Sequence, residues 1–336
     1  MNLLTAKQAI KDCMQVGLVP LLMSAPGLGK SGLVKQIAEE MDLELIDLRL
    51  SQLEASDLNG LPRITEQNQA EFLPFSLFPL VSTSKPEKQK GWLLFLDELT
   101  NAEPQTAMAA YRLILDREVG NHPLNKDCYL VAAGNREEDN EYIQAMPSPL
   151  RTRMVHMDIH LDAQQWLDYA GRNHYDPRIT AFIRWKPKNL QGKDTGSKSF
   201  ACPRTWEFVS RLIKDKPWND YLYELMGGLL DEKTLVEFTA YMNYFSKLPS
   251  YEEVIKAKKP SAEKNVGIQY ALVSMLVSQC TLQDFPKVWD YIQHFAKELK
   301  ATLFRDLANR GVIGYDTLPN YMELINELGQ GVDFNV

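Results

Sequence analysis

The stretch Leu18-Val-Pro-Leu-Leu-Met-Ser-Ala-Pro-Gly-Leu-Gly-Lys-Ser31 constrains the chain most, because an apolar run ends abruptly in a turn that closes on Gly29-Lys30-Ser31. The run predicts a strand, and the spacing of Leu33, Val34, Ile37 and Met41 predicts a helix directly after the turn. Strand, glycine turn and helix in this order make a phosphate-binding loop. Gly27 and Gly29 let successive backbone N–H groups turn inward with no Cβ in the way, forming a nest for anionic oxygens. Lys30 supplies a point charge to the same oxygens, and the Ser31 hydroxyl suits a Mg²⁺ ion. The helix N-terminus adds its partial positive charge. Ala25, Pro26, Gly27, Leu28, Gly29, Lys30, Ser31 and Gly32 are therefore the candidate phosphate contacts. One position departs from the pattern G-x-x-x-x-G-K-[ST], since Ser24 stands where the first glycine is usual.

A second constellation completes a nucleotide site. Trp92-Leu-Leu-Phe-Leu96 is a continuous apolar run of the kind that forms a strand buried on both faces of a parallel sheet, and it ends in Asp97-Glu98. Ligands bind at the carboxyl ends of such strands. Asp97 can reach Mg²⁺, and Glu98 can orient and deprotonate a water that attacks a γ-phosphate. Taken alone, acidic residues after a strand are usually solvated turn residues; beside Lys30 and Ser31 the pair reads as catalytic. A further strand, Asp127 to Ala133, ends in Gly134-Asn135. The Asn135 amide either holds the attacking water or senses the γ-phosphate, or is an Asx-turn residue. Arg151 and Arg153, after the Pro-containing turn Met146-Pro-Ser-Pro and before the short strand Val155 to His160, would ordinarily be surface charges.

Composition excludes several classes. The chain has 336 residues, 45% hydrophobic and 24% charged, which suits about two globular domains. No apolar run approaches the roughly 18 residues a membrane span needs, and Met1 to Lys7 lacks a basic region followed by an apolar core, so the expectation is a cytoplasmic protein with no membrane partner. Cys13, Cys128, Cys202 and Cys280 show no C-x-x-C spacing and are expected to be buried thiols. A net charge of −7 argues against a broad nucleic-acid surface.

Periodicity predicts helices over 3–16 and 101–119, a strand over 43–50, and a polar segment from Ser51 to Pro62 broken by Gly60. After Leu161 the strands stop. Helices are expected over 164–172, 176–185, from Pro203 with Phe208, Val209, Leu212 and Ile213 on its inner face, and over 218–230, 231–246, 264–280, 284–310 and 316–328. A Gly- and Lys-rich loop over 187–198 and a lysine-bearing linker over 251–260 separate them. The stripe Trp289, Ile292, Phe295 and Leu299 reads as core.

With these residues in order, the chain resembles the AAA+ ATPases, specifically their MoxR-like, dynein-related branch, over roughly residues 3–245. Ser24 to Ser31 resembles the Walker A loop, Leu93 to Asn101 the Walker B strand, and Ala132 to Asn135 sensor 1. Arg151 and Arg153 lie where that family carries its arginine finger, and Cys202-Pro-Arg204-Thr-Trp is similar to sensor 2. The segment Ser51 to Pro62 is similar to the one that leads to inserted elements near a ring pore. The resemblance implies an α/β P-loop domain with a parallel sheet over 1–160, an α-helical lid over 161–246 and further C-terminal helices over 247–336. It implies ATP and Mg²⁺ as ligands, Arg204 reaching the γ-phosphate from the lid, and a homo-oligomer, best a hexameric ring, in which an arginine of one subunit serves the next subunit's nucleotide. It also implies remodelling of a partner protein, often one with a von Willebrand factor type A domain. A nucleic-acid motor or loader is the rival, disfavoured by the acidic balance.

Overall fold

The computed structural model describes residues 1–136, 146, 148–193 and 198–314, which divide into a unit over 1–161 and another from residue 162. The first unit is built on a five-stranded parallel sheet. Its strands are β1 (Val19–Met23), β2 (Leu43–Arg49), β5 (Gly91–Asp97), β8 (Cys128–Gly134) and β9 (Met154–Asp158), in the spatial order β2-β5-β8-β1-β9. Two short antiparallel hairpins stand apart from it: β3 (Leu61–Ile64) with β4 (Ala70–Leu73), and β6 (Glu118–Val119) with β7 (His122–Pro123). Register follows the hydrophobic runs, with Leu22 opposite Ala133 and Leu96 opposite Ala132.

The central strand is the anchor. Leu93, Leu94, Phe95 and Leu96 are completely buried, so both faces of β5 are covered as its unbroken apolar run requires. Each such side chain contributes about 2 kcal/mol by leaving water. One face packs on α1 (Leu3–Gln15) and α2 (Lys30–Met41) through Ile10, Met14, Val34 and Ile37. The other packs on α4 (Pro104–Asp116) through Ala110, Leu113 and Ile114.

Helix α4 is shorter than the predicted 101–119. Pro104 at its first position sets the start, and Arg117 in the left-handed region (φ 55°) ends it. Met108, an apolar position of that helix in the sequence, is exposed. The polar segment after β2 holds a short helix, α3 (Ala55–Asn59), closed by a capping box in which Glu54 and Asp57 exchange bonds with each other's backbone. Gly60 (φ 90°) then passes so close to the Leu73 carbonyl that a Cβ would lie 2.4 Å from its oxygen, which starts the β3–β4 hairpin. A four-residue helix, α5 (Ser148–Arg151), leads into β9.

The second unit is helical among its described residues: α6 (Ala163–Arg172), α7 (Pro177–Trp185), α8 (Pro203–Ile213), α9 (Asp220–Met226), α10 (Glu232–Phe245), α11 (Tyr251–Lys256), α12 (Val266–Gln279), α13 (Phe285–Tyr291) and α14 (Lys297–Asn309). Phe182, Trp206, Phe238 and Tyr241 are buried and meet edge-on or tilted, 5.2 to 5.7 Å between centroids, joining α7, α8 and α10.

Three expectations are corrected here. The linker over 251–260 holds α11, started by a Ser250–Glu253 capping box. The helix over 284–310 is two helices, because the chain leaves helical geometry at Ile292 and re-enters after Ala296. Phe208 lies on the exposed side of α8, whose buried face is Trp206, Val209, Ser210 and Ile213. The helix expected over 316–328 lies outside the described residues, as do 194–197 of the Gly- and Lys-rich loop. The stripe of α13 and α14 is core as expected: Ile292, Phe295 and Leu299 are buried, and Trp289 packs against them.

Candidate active site

The parallel order brings the carboxyl ends of β1, β5 and β8 side by side, and each carries a candidate residue just beyond it. After β1, Gly27 (φ 74°) and Gly29 (φ 103°) occupy the left-handed region that a side chain would resist, and Gly29 is the residue at which α2 begins. The first residues of α2 are Lys30 and Ser31, so both leave the helix end whose free N–H groups face an anion. Ser24 is completely buried and has none of the left-handed geometry for which glycine is needed. The departure from the usual glycine is thus tolerated by the backbone.

Lys30 Nζ donates to the Ser24 carbonyl at 3.2 Å, the Ser24 hydroxyl at 3.0 Å and Asn135 Oδ1 at 3.0 Å. Asn135, 105 positions away in sequence, is thereby in direct contact with the loop lysine. Its amide is oriented from the other side too, since Nδ2 donates to Asn101 Oδ1 at 3.4 Å. Its backbone N–H donates to the Thr100 hydroxyl at 3.0 Å.

The Ser31 hydroxyl donates to Asp97 Oδ2 at 3.0 Å. A hydroxyl and a carboxylate oxygen side by side, beside a phosphate loop, form the hard oxygen donor set that suits Mg²⁺, which keeps several waters and takes few protein ligands. Glu98, the next residue, is held at φ 60°, sparsely populated for a residue with a Cβ. Its N–H donates to Asp97 Oδ1 at 2.9 Å, and its carboxylate accepts a hydrogen bond from the Ser51 hydroxyl at the end of β2. Asp47 of β2 completes the acidic edge. Although it keeps an exposed side, desolvation and then the Asp97 and Glu98 charges push its carboxyl above the usual range, with Arg49 pulling the other way.

Residues 20–154 match the family model of the AAA domain (dynein-related subfamily). The chain carries an AAA domain of the dynein-related subfamily. No curated protein sequence matches the chain. Among solved structures, a mutant form of Thermotoga maritima RuvB is 15% identical, covers 74% of this chain and 75% of its own, and has a TM-score of 0.38. A second mutant form of the same protein gives 15% identity, 86% and 85% coverage and 0.38. A candidate ATPase of Cytophaga hutchinsonii gives 14%, 92%, 89% and 0.36.

The AAA domain is an ATPase, and its carboxylate edge and phosphate loop meet at one end of the sheet. Of the residues named from the sequence, the structure brings together Ala25 to Gly32, Asp97, Glu98 and Asn135. Arg151 and Arg153 stand elsewhere: both are exposed and precede β9, which runs parallel to β1 with Met154 opposite Val19. They therefore flank the opposite end of the sheet from the loop, about 16 Å away for strands of this length. Arg204 belongs to the second unit, exposed in the first turn of α8 behind Pro203. Three polar residues that sequence reasoning left without a role join the site: Ser51, Thr100 and Asn101. The available signal for Ser51 was its place just past the strand expected over 43–50.

Proposed function

We propose that this chain is a MoxR-like AAA+ ATPase that couples Mg²⁺-dependent ATP hydrolysis to remodelling of a partner protein, working as a ring of identical subunits, best a hexamer. The observation that carries the hydrolytic part is the meeting of Lys30, Asn135, Ser31, Asp97 and Glu98 at three adjacent strand ends. Ala25 to Gly32 wrap the phosphates, Lys30 neutralises the β- and γ-phosphate oxygens, and Asn135 bears on the γ-phosphate. Ser31 and Asp97 would hold Mg²⁺, whose chemistry there is to screen phosphate charge. Glu98 takes the proton from the attacking water, and Ser51 orients its carboxylate beforehand.

The ring is supported by the arginines. Arg151 and Arg153 are exposed and lie beyond reach of their own Lys30, so a guanidinium acting in hydrolysis acts on a neighbour's nucleotide, and Arg204 serves as the sensor of the helical lid. A protein partner is supported by the β3–β4 hairpin, which exposes Leu61, Ile64, Phe72 and Leu73, an apolar set that a lone soluble hairpin does not need. A von Willebrand factor type A domain is the partner class implied by the resemblance, and the cytoplasm its compartment.

Separable roles test the assignment. Lys30→Ala should abolish ATP binding, whereas Glu98→Gln should bind ATP normally and lose hydrolysis by about 10²- to 10⁴-fold, the contribution of a general base. Equal loss of binding in both variants, measured by calorimetry, overturns the roles.

A further inference from the structure

A lysine ammonium has three N–H donors. Among the acceptors that Lys30 Nζ reaches are the Ser24 carbonyl, the Ser24 hydroxyl and Asn135 Oδ1. Only the first acceptor belongs to the backbone of the loop. The other two are neutral side-chain oxygens on the ends of two neighbouring strands, β1 and β8, both at 3.0 Å. Turning two donors to phosphate oxygens, whether of one phosphoryl group or two, takes them from acceptors such as these.

Ser24 is suited to be one of them. Its hydroxyl donates to the Ala25 carbonyl at 2.9 Å, which leaves an oxygen lone pair for Lys30. The side chain is completely buried, so water does not replace the lysine once it moves. The backbone at this position does not demand a serine or forbid a smaller residue.

We propose that Ser24 is a positioning residue for Lys30: its hydroxyl, with the Asn135 amide, holds the ammonium as a placeholder for phosphate oxygens, and nucleotide binds by exchanging both acceptors. The inference rests on the ATPase reading of the same site. Its consequence has a definite sign. The exchange leaves a buried lone pair of Ser24 without its donor, so the serine weakens nucleotide binding relative to a residue that offers no acceptor. The donor bond to Ala25 survives the exchange, which is why the hydroxyl can stay in place while the lysine moves.

The test is calorimetric binding of ADP with Mg²⁺ to the full chain and to its Ser24→Ala and Ser24→Cys variants. Alanine removes the acceptor; cysteine keeps the volume while offering only a weak one. Both variants should bind ADP about three- to tenfold more tightly, the range of one net hydrogen bond. The KM for ATP should fall in parallel while kcat changes less than about twofold. Unchanged or weaker ADP affinity in both variants overturns the placeholder role, as does a loss of kcat with KM constant, which a merely structural serine would give. Lys30→Ala separates the two readings: if it binds ADP like the wild type, the phosphate site itself is wrongly assigned; if it loses ADP while the Ser24 variants fail to gain, only the placeholder fails.

Discussion

Gly134 is the residue on which the geometry around Asn135 can be tested most sharply. It closes β8, pairs with Met23 of β1 and immediately precedes Asn135. A Cβ at this position would lie 2.7 Å from Thr100 Cγ2, 2.8 Å from Thr100 Oγ1 and 3.3 Å from Met23 Sδ. Met23 can yield, being flexible and unbranched. Thr100 is buried and its hydroxyl receives the Asn135 N–H at 3.0 Å, so it cannot step aside without dragging that bond. Gly134→Ala therefore overpacks a closed site, at a cost of about 1–3 kcal/mol. For a unit of this size each kcal/mol moves the midpoint by about 2–4 °C, so the first unit should melt some 2–12 °C lower. Asn135 should move by a few tenths of an ångström from Lys30, and a misplacement of that order lowers turnover about tenfold. Thermal unfolding by calorimetry and steady-state ATPase assays read the two effects. Adding Thr100→Ser, which deletes Cγ2 and frees the hydroxyl to rotate, should restore most of the midpoint. Wild-type melting and turnover in Gly134→Ala, or no recovery with Thr100→Ser, would refute the close packing inferred here.

The remaining expectations concern charge. If Arg151 or Arg153 is an arginine finger, its alanine variant should bind ATP almost normally yet hydrolyse it slowly, by a factor of about 10³ to 10⁵. Mixing that variant with Lys30→Ala protein should restore part of the turnover, because the Lys30→Ala subunit lends its arginine to a competent neighbour; no recovery at any ratio, in subunits shown to exchange, places the arginines in their own chain. Asp47→Asn should stabilise the fold at neutral pH. The native carboxyl of Asp47 is harder to ionise than the unfolded one, so above both pKa values the wild-type charge costs stability, and below the ordinary value of 3.8, where both states are neutral, it costs nothing. The gain in Asp47→Asn should accordingly shrink as pH falls through the native pKa, as urea unfolding at neutral and acid pH would read; a gain independent of pH would point to packing instead.

The central strands β1, β5 and β8 were legible as apolar runs that end in turn chemistry, and β2 by its alternation of apolar and polar residues. The hairpins were not. All of β3 is exposed and carries Pro62, so it shows no alternation of buried and exposed positions, and its turn depends on Asn68 at φ 55° with no glycine after it. The helix α11 was hidden by Lys256 at its end and Lys258 and Lys259 just beyond it, although Ser250-Tyr-Glu-Glu253 is a capping-box signature at its start. The break between α13 and α14 gave no sign at all, since Ile292, Phe295 and Leu299 keep helical spacing across it and no glycine or proline intervenes. At the site, residue identities were readable from strand ends while their pairings were not. That Lys30 meets Asn135, or Glu98 meets Ser51, depends on the strand order, which brings residues 105 and 47 positions apart into contact.

The same strand order explains how the site tolerates local conformations that a loop would not keep. Glu98 in the left-handed region costs about 1 kcal/mol or more, and Asp97 buries a carboxylate beside it. Both follow directly from β5, whose four innermost side chains are completely buried and together outweigh that cost several times over. The strain is held because the strand cannot shift: moving β5 by one residue would break its register with β2 and β8 on both sides. Asp97 remains bonded to Ser31 of α2 and Glu98 to Ser51 beyond β2, so the two carboxylates are turned apart by partners on different elements. Neighbouring acids with separate supports can take separate tasks, one beside the cation and one beside the water, and this division is what Glu98→Gln, with its binding intact and its turnover lost, would expose.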